Sequence, residues 1–125
     1  MKRLVFITLF LFLAACAPPI DVVSYQPLTL TSAQMALVEA TVTRDLFDPE
    51  SARFRDVYAA RSTVSRDGEQ VEVTVVCGYI NAKNRVGGYV GFTPFATALL
   101  DGQVGPVEID DNVVRDCERF GFVAS

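Results

Sequence analysis

The chain has 125 residues, 50% of them apolar, a mean hydropathy of +0.30 and a formal net charge of −4, which fits about one domain. It holds three Cys and no His or Trp, which excludes a histidine general base, a Ser-His-Asp or Cys-His nucleophile and a histidine-ligated metal site. The acidic balance argues against nucleic acid or an anionic lipid surface as the main partner, because phosphate binding draws on a Lys and Arg surplus.

The apolar content is unevenly placed. Lys2 and Arg3 precede an apolar run from Leu4 to Leu13 that only Thr8 interrupts. A basic start followed by a short apolar core is the layout of a secretory signal. A membrane-spanning helix needs roughly 20 apolar residues, and Pro18 and Pro19 arrive too early for one. Leu13-Ala14-Ala15-Cys16 then resembles the lipobox of bacterial lipoproteins. That resemblance implies removal of a signal peptide over residues 1–15, a diacylglycerol thioether on Cys16 and acylation of the new N-terminus. Two or more acyl chains anchor a protein stably where one is marginal. Ala17, where the family's inner-membrane members carry Asp, points to the outer membrane, facing the periplasm.

Without residues 1–15 the chain has 110 residues, 9 basic and 15 acidic side chains and a net charge of −6. Its apolar share of about 46% is that of an ordinary globular domain. Setting Cys16 aside leaves Cys77 and Cys117, an even pair that reads as a disulfide in an oxidising envelope. Closing that loop contributes roughly 4 kcal/mol in the chain-entropy model. No Cys-x-x-Cys motif suggests a reactive pair.

Residues 16–28, with Pro18, Pro19 and Pro27, read as a lipidated N-terminus followed by an extended, flexible tether. Residues 29–125 read as one small α+β domain. A helix is predicted from Thr31, with Gln34 completing a capping box and Val38, Val42 and Leu46 forming an apolar stripe, to about Phe47. Asp48-Pro49 ends it and opens a short turn. A strand with a bulge is expected over Arg53–Ser65, a hairpin at Asp67-Gly68, and an alternating strand over Glu69–Ile80. A third strand, demoted to an edge or bulge by Pro94, is expected over Tyr89–Ala98. A second helix is expected from about Asp111 to Phe120, with Gly121 as its C-cap. The resulting fold class is α+β: an N-terminal helix, an antiparallel sheet of three to four strands and a short C-terminal helix tied to the central strand by Cys77–Cys117.

The segment between the second and third strands is richer than folding requires. Asn81, Lys83, Asn84, Arg85 and Tyr89 lie in the stretch Cys77–Phe92, which holds four of the chain's eight Gly. Lys83, Arg85 and the glycine amides suit an anion or carboxylate, and the two Asn suit an amide or sugar. The same composition also satisfies a structured turn, because Asn and Gly tolerate positive φ and Asn bonds to nearby backbone. No P-loop or dinucleotide fingerprint is present, so no cofactor is expected, and neither is a metal.

A wider pattern runs through Asp48-Pro49-Glu50-Ser51-Ala52-Arg53-Phe54-Arg55, then Cys77-Gly78-Tyr79-Ile80-Asn81-Ala82-Lys83-Asn84, then Gly87-Gly88-Tyr89-Val90-Gly91-Phe92. It resembles a group of small exported proteobacterial proteins with the signature DPxSAxFR…CGxxNxKNxxGGYxGF. The resemblance covers about Leu37 to Phe95 and implies one coherent exported domain without adding an activity. With no catalytic motif, the sequence favours a non-catalytic envelope lipoprotein that binds an envelope protein, peptidoglycan or a small ligand. The alternatives are a structural or assembly lipoprotein, and a carboxylate-based hydrolase built on Glu108, Asp110 and Asp111. A helix N-terminus accounts equally well for those acids.

Overall fold

The computed structural model describes residues 19–125, so Cys16 and the signal segment lie outside the described residues. Six strands and two helices follow in the order β1 (Asp21–Leu28), α1 (Ser32–Thr43), β2 (Arg53–Arg66), β3 (Glu69–Asn81), β4 (Thr93–Leu100), β5 (Gln103–Val104), β6 (Glu108–Ile109) and α2 (Val113–Glu118), with a short 3₁₀ turn at Pro49–Ser51 before β2. The strands form one antiparallel sheet in the order β1-β2-β3-β4-β5, and β6 also pairs with β4. None of the helices among the described residues is long and apolar enough to cross a membrane.

The β2–β3 hairpin is the frame. Asp67 and Gly68 both take positive φ, 52° and 79°, as a two-residue turn matched to strand twist requires. From that turn the pairing runs from Arg66 opposite Glu69 to Arg53 opposite Asn81. Asp101 and Gly102 repeat the device between β4 and β5, at 51° and 76°.

One irregularity interrupts the hairpin. The register shifts between Arg55 and Tyr58, so Asp56, at φ 52°, and Val57 bulge opposite Gly78. Gly78 is where the sheet is thinnest. A Cβ there would stand 2.9 Å from Phe95 Cε1 and 3.1 Å from Val57 Cα. The fully buried Phe95 ring therefore lies on bare backbone, with the Phe54 ring edge-on to it at 5.6 Å.

Side chains alternate across the sheet, so each face gathers its own cover. On one face Val38 and Val42 of α1 pack with Ala59, Val76, Ile80, Phe95 and Leu99. On the other, Cys117 and Phe122 pack with Val75, Cys77 and Tyr79. β3 lies in the middle and is buried continuously from Val75 to Ile80. The Cys77–Cys117 disulfide, expected from the sequence, ties α2 to this central strand with an S–S distance of 2.06 Å. Beyond α2, the Gly121 N–H bonds Glu118 O and the Phe122 N–H bonds Cys117 O, and Gly121 takes φ +88°. This pair of bonds closes the helix and turns Phe122 back onto the sheet. Tyr58 Oη secures the same turn by donating to Phe120 O at 2.7 Å.

The α+β expectation is corrected by these elements: the domain is mainly antiparallel sheet, with six strands where three to four were expected and only two short helices. Three local effects account for the difference. The tether expected over residues 16–28 gives way at Asp21 to β1, an edge strand, where Pro27 is tolerated because an edge leaves one side of the backbone unpaired. The first helix ends at Thr43, and the second shortens to Val113–Glu118. The third strand starts at Thr93 instead of Tyr89, and the stretch after it, expected as a loop, adds two-residue strands to β4. The capping box is present: Thr31 Oγ1 accepts from the Gln34 N–H and Gln34 Oε1 from the Thr31 N–H.

Gly78→Ala should cost about 1–3 kcal/mol, the usual range for overpacking, and lower the urea midpoint without changing the slope. Tyr58 gives a second expectation. Burial, and then the neighbouring Tyr25, hold its phenol above the ordinary value of 10.0, so the folded state favours the neutral form. Its contribution is intact below pH 10 and is lost as pH rises beyond that. Urea titrations at pH 9 and pH 11 should therefore show a larger alkaline loss for the native chain than for Tyr58→Phe.

Candidate functional site

Ser51 is the junction of this end of the molecule. Its N–H is capped by Asp48 Oδ1 at 3.3 Å and its hydroxyl donates to Asp48 O at 2.8 Å. The same hydroxyl oxygen accepts the Lys83 N–H at 2.8 Å, and the Ser51 carbonyl accepts the Tyr89 hydroxyl at 2.9 Å. Two stretches far apart in sequence, 48–55 and 77–92, are thus joined by one residue. Stacking adds to this: Arg53 lies over the Tyr89 ring at 4.6 Å, and Arg55 over Phe92 at 4.4 Å and Tyr79 at 5.0 Å.

Within the loop the two Asn residues act on the backbone. Asn84 Oδ1 accepts from the Val86 and Gly88 N–H groups at 3.1 and 3.2 Å, and the Asn84 N–H bonds Gly88 O at 2.9 Å. Asn81 Oδ1 accepts from the Gly91 N–H at 3.1 Å, and Gly91 sits at φ +104°. Both carboxamide oxygens are therefore engaged inside the loop. Lys83 and Tyr89 face each other across an isolated β-bridge that narrows its neck.

The cations are placed differently. The ion pairs among the described residues are Arg44–Asp45, Arg55–Asp56 and Arg61–Glu72, so Lys83 and Arg85 have no acidic partner there. Lys83 Nζ stands 5.7 Å from the Tyr89 ring centre, and the Arg85 guanidinium lies over Phe47 at 5.1 Å. Beside them opens a cleft of about 200 Å³ whose apolar walls are Leu46, Phe47, Ile80, Ala82, Val90 and Ile109, with Lys83 and Asn84 also lining it. Phe47 is 60% exposed and Val90 69%.

Of the residues singled out in the sequence, Asn81, Lys83, Asn84, Arg85 and Tyr89 all lie at this end of the sheet, while Cys77 and Cys117 form the disulfide in the core. Phe47, Val90 and Ile109 were not anticipated. Phe47 alone carried a signal, as an apolar residue stranded between the helix stripe and Asp48-Pro49. Of the acids near α2, Asp110 has a local partner: its Oδ1 accepts the Asn112 N–H at 2.7 Å. Among the described residues no cluster of three or more His, Cys, Asp or Glu side chains could hold a metal ion.

Asn84→Ala removes the acceptor for two loop N–H groups and should cost about 1 kcal/mol of stability, whereas Lys83→Ala should stay within about 0.5 kcal/mol of the native chain; thermal melts of the two variants check both. No protein-family model matches the chain, and neither does any curated protein or solved structure.

Proposed function

We propose that this chain is a lipid-anchored lipoprotein of the bacterial cell envelope, held on the outer membrane facing the periplasm, and that it works as a non-catalytic binding module. The basic start, the apolar run and Leu13-Ala14-Ala15-Cys16 support the anchoring. One geometric observation carries the rest: the chain enters the fold at the end of the sheet opposite the 81–92 loop. Asp21 pairs with Ser65 beside the hairpin turn, whereas Asn81 pairs with Arg53 at the far end. At about 3.3 Å per residue the hairpin separates these ends by roughly 40 Å. Only residues 17–20 stand between Cys16 and Asp21, a reach of at most about 18 Å. Arg119 Nη2 holds Ile20 O at 2.6 Å and fixes the point where the chain leaves the domain. An anchor at one end and an exposed, unpaired cationic loop at the other suit a module that presents its far end to a partner.

The engaged Asn81 and Asn84 oxygens favour a rival, a structural or assembly lipoprotein in which the loop is only a turn. Two measurements separate these. Cys16→Ser should move the protein from the membrane to the soluble fraction, and a variant still recovered with lipid attached would end the lipoprotein reading. A photocrosslinking side chain at Val86 should give a discrete adduct in intact cells that the same side chain at Asp67 does not. Identical adduct patterns from both positions would leave the loop as a turn.

A further inference from the structure

We infer that the cleft beneath the 81–92 loop seats one apolar side chain of an acidic segment in a partner protein. This rests on the binding-module reading above and names what that module takes.

Size comes first. At about 200 Å³ the cleft is smaller than the roughly 300–1,000 Å³ of typical small-molecule sites and suits one Leu- or Phe-sized group. Its apolar walls come from several elements, Leu46 and Phe47 after α1, Ile80 in β3, Ala82 and Val90 in the loop and Ile109 in β6, with Lys83, Asn84 and Thr93 as the polar lining. Phe47 and Val90 leave much of this wall exposed, at 60% and 69%, and the Arg85 guanidinium lies over Phe47 at 5.1 Å, an aromatic–Arg pairing of the kind enriched in protein interfaces.

Charge then selects the partner's chemistry. A chain with a net charge of −6 after its signal segment places two cations without acidic partners, Lys83 and Arg85, beside an apolar cleft. Complementary potential there favours carboxylates next to the inserted side chain. Ile109, another wall residue, lies between Glu108 and Asp110 in the chain, so the partner's carboxylates belong beside Lys83 and Arg85. A bilayer is a poor occupant, because the cleft sits at the end of the sheet away from the chain's entry.

The test uses the mature lipidated protein in detergent micelles and a capped synthetic hexapeptide with one Phe followed by two Glu. Its titration should shift the amide resonances of Ala82, Lys83, Val90 and Thr93 saturably, and affinity should fall as salt rises. Replacing the Phe by Ala, or the two Glu by Lys, should weaken binding at least tenfold. Lys83→Ala with Arg85→Ala should do the same, and so should Val90→Asp at an exposed position that folding does not need. Equal binding by the Lys peptide, shifts confined to other residues, or saturable occupation of the cleft by octanoate without any peptide response would each overturn the inference. A Val86 crosslink in cells that survives both Val90→Asp and the double cation variant would also overturn it while leaving the binding-module reading intact.

Discussion

One register, that of β2 against β3, fixes both faces of the molecule. A strand displaced by one residue turns its whole set of side chains to the opposite face. Here such a slip would carry Cys77 away from Cys117 and put Cys77 or Tyr79 where Gly78 now admits the Phe95 ring. The disulfide, the α1 core and the Tyr58–Phe120 bond all presuppose the pairing that the Asp67-Gly68 turn begins. The bulge at Asp56 and Val57 is the one relaxation of that pairing, and it falls opposite the one β3 residue without a side chain.

The same register brings the loop to Ser51. Because Arg53 pairs with Asn81, the 3₁₀ turn just before β2 lies beside the chain just after β3. Ser51 then meets Lys83 and Tyr89, and Arg53 and Arg55 reach the rings of Tyr89 and Phe92. Conformational entropy that a free loop of this length would retain is removed by these bonds before any partner arrives. A recognition surface built this way loses little further freedom on binding.

What the sequence revealed was what local chemistry decides. Thr31 with Gln34, Asp67 with Gly68, and the even pair Cys77 and Cys117 each carry their own signal within a few residues or by count. β1 was illegible because its partner lies some forty residues away and because Pro27 argues for a tether unless the strand is known to be an edge. The two-residue strands β5 and β6 are stabilised by β4 and have no periodicity of their own. The loop residues were legible as a group from Gly and Asn content, yet their division of labour was not. Only the bonds of Asn81 and Asn84 distinguish them from Lys83 and Arg85. The cleft was least legible of all, since Phe47, Val90 and Ile109 become neighbours only through the completed sheet.

Shortening the tether changes the mechanics of the proposed anchoring. A linker spanning residues 16–28 would let the domain wander and approach the bilayer by any face. With β1 starting at Asp21, the hairpin end stays close to the anchor, and that end carries Asp21, Asp67 and Glu69 against Arg66. An acidic end beside an anionic leaflet is repelled within a Debye length, about 8–10 Å. The unpaired cations lie at the opposite end, roughly 40 Å of strand away, beyond the reach of that field. Under the proposed anchoring, the charge distribution and the short leash would act in the same sense: the sheet would stand off the membrane as a spacer, and the loop that Ser51 ties down would be the part left free to meet a partner.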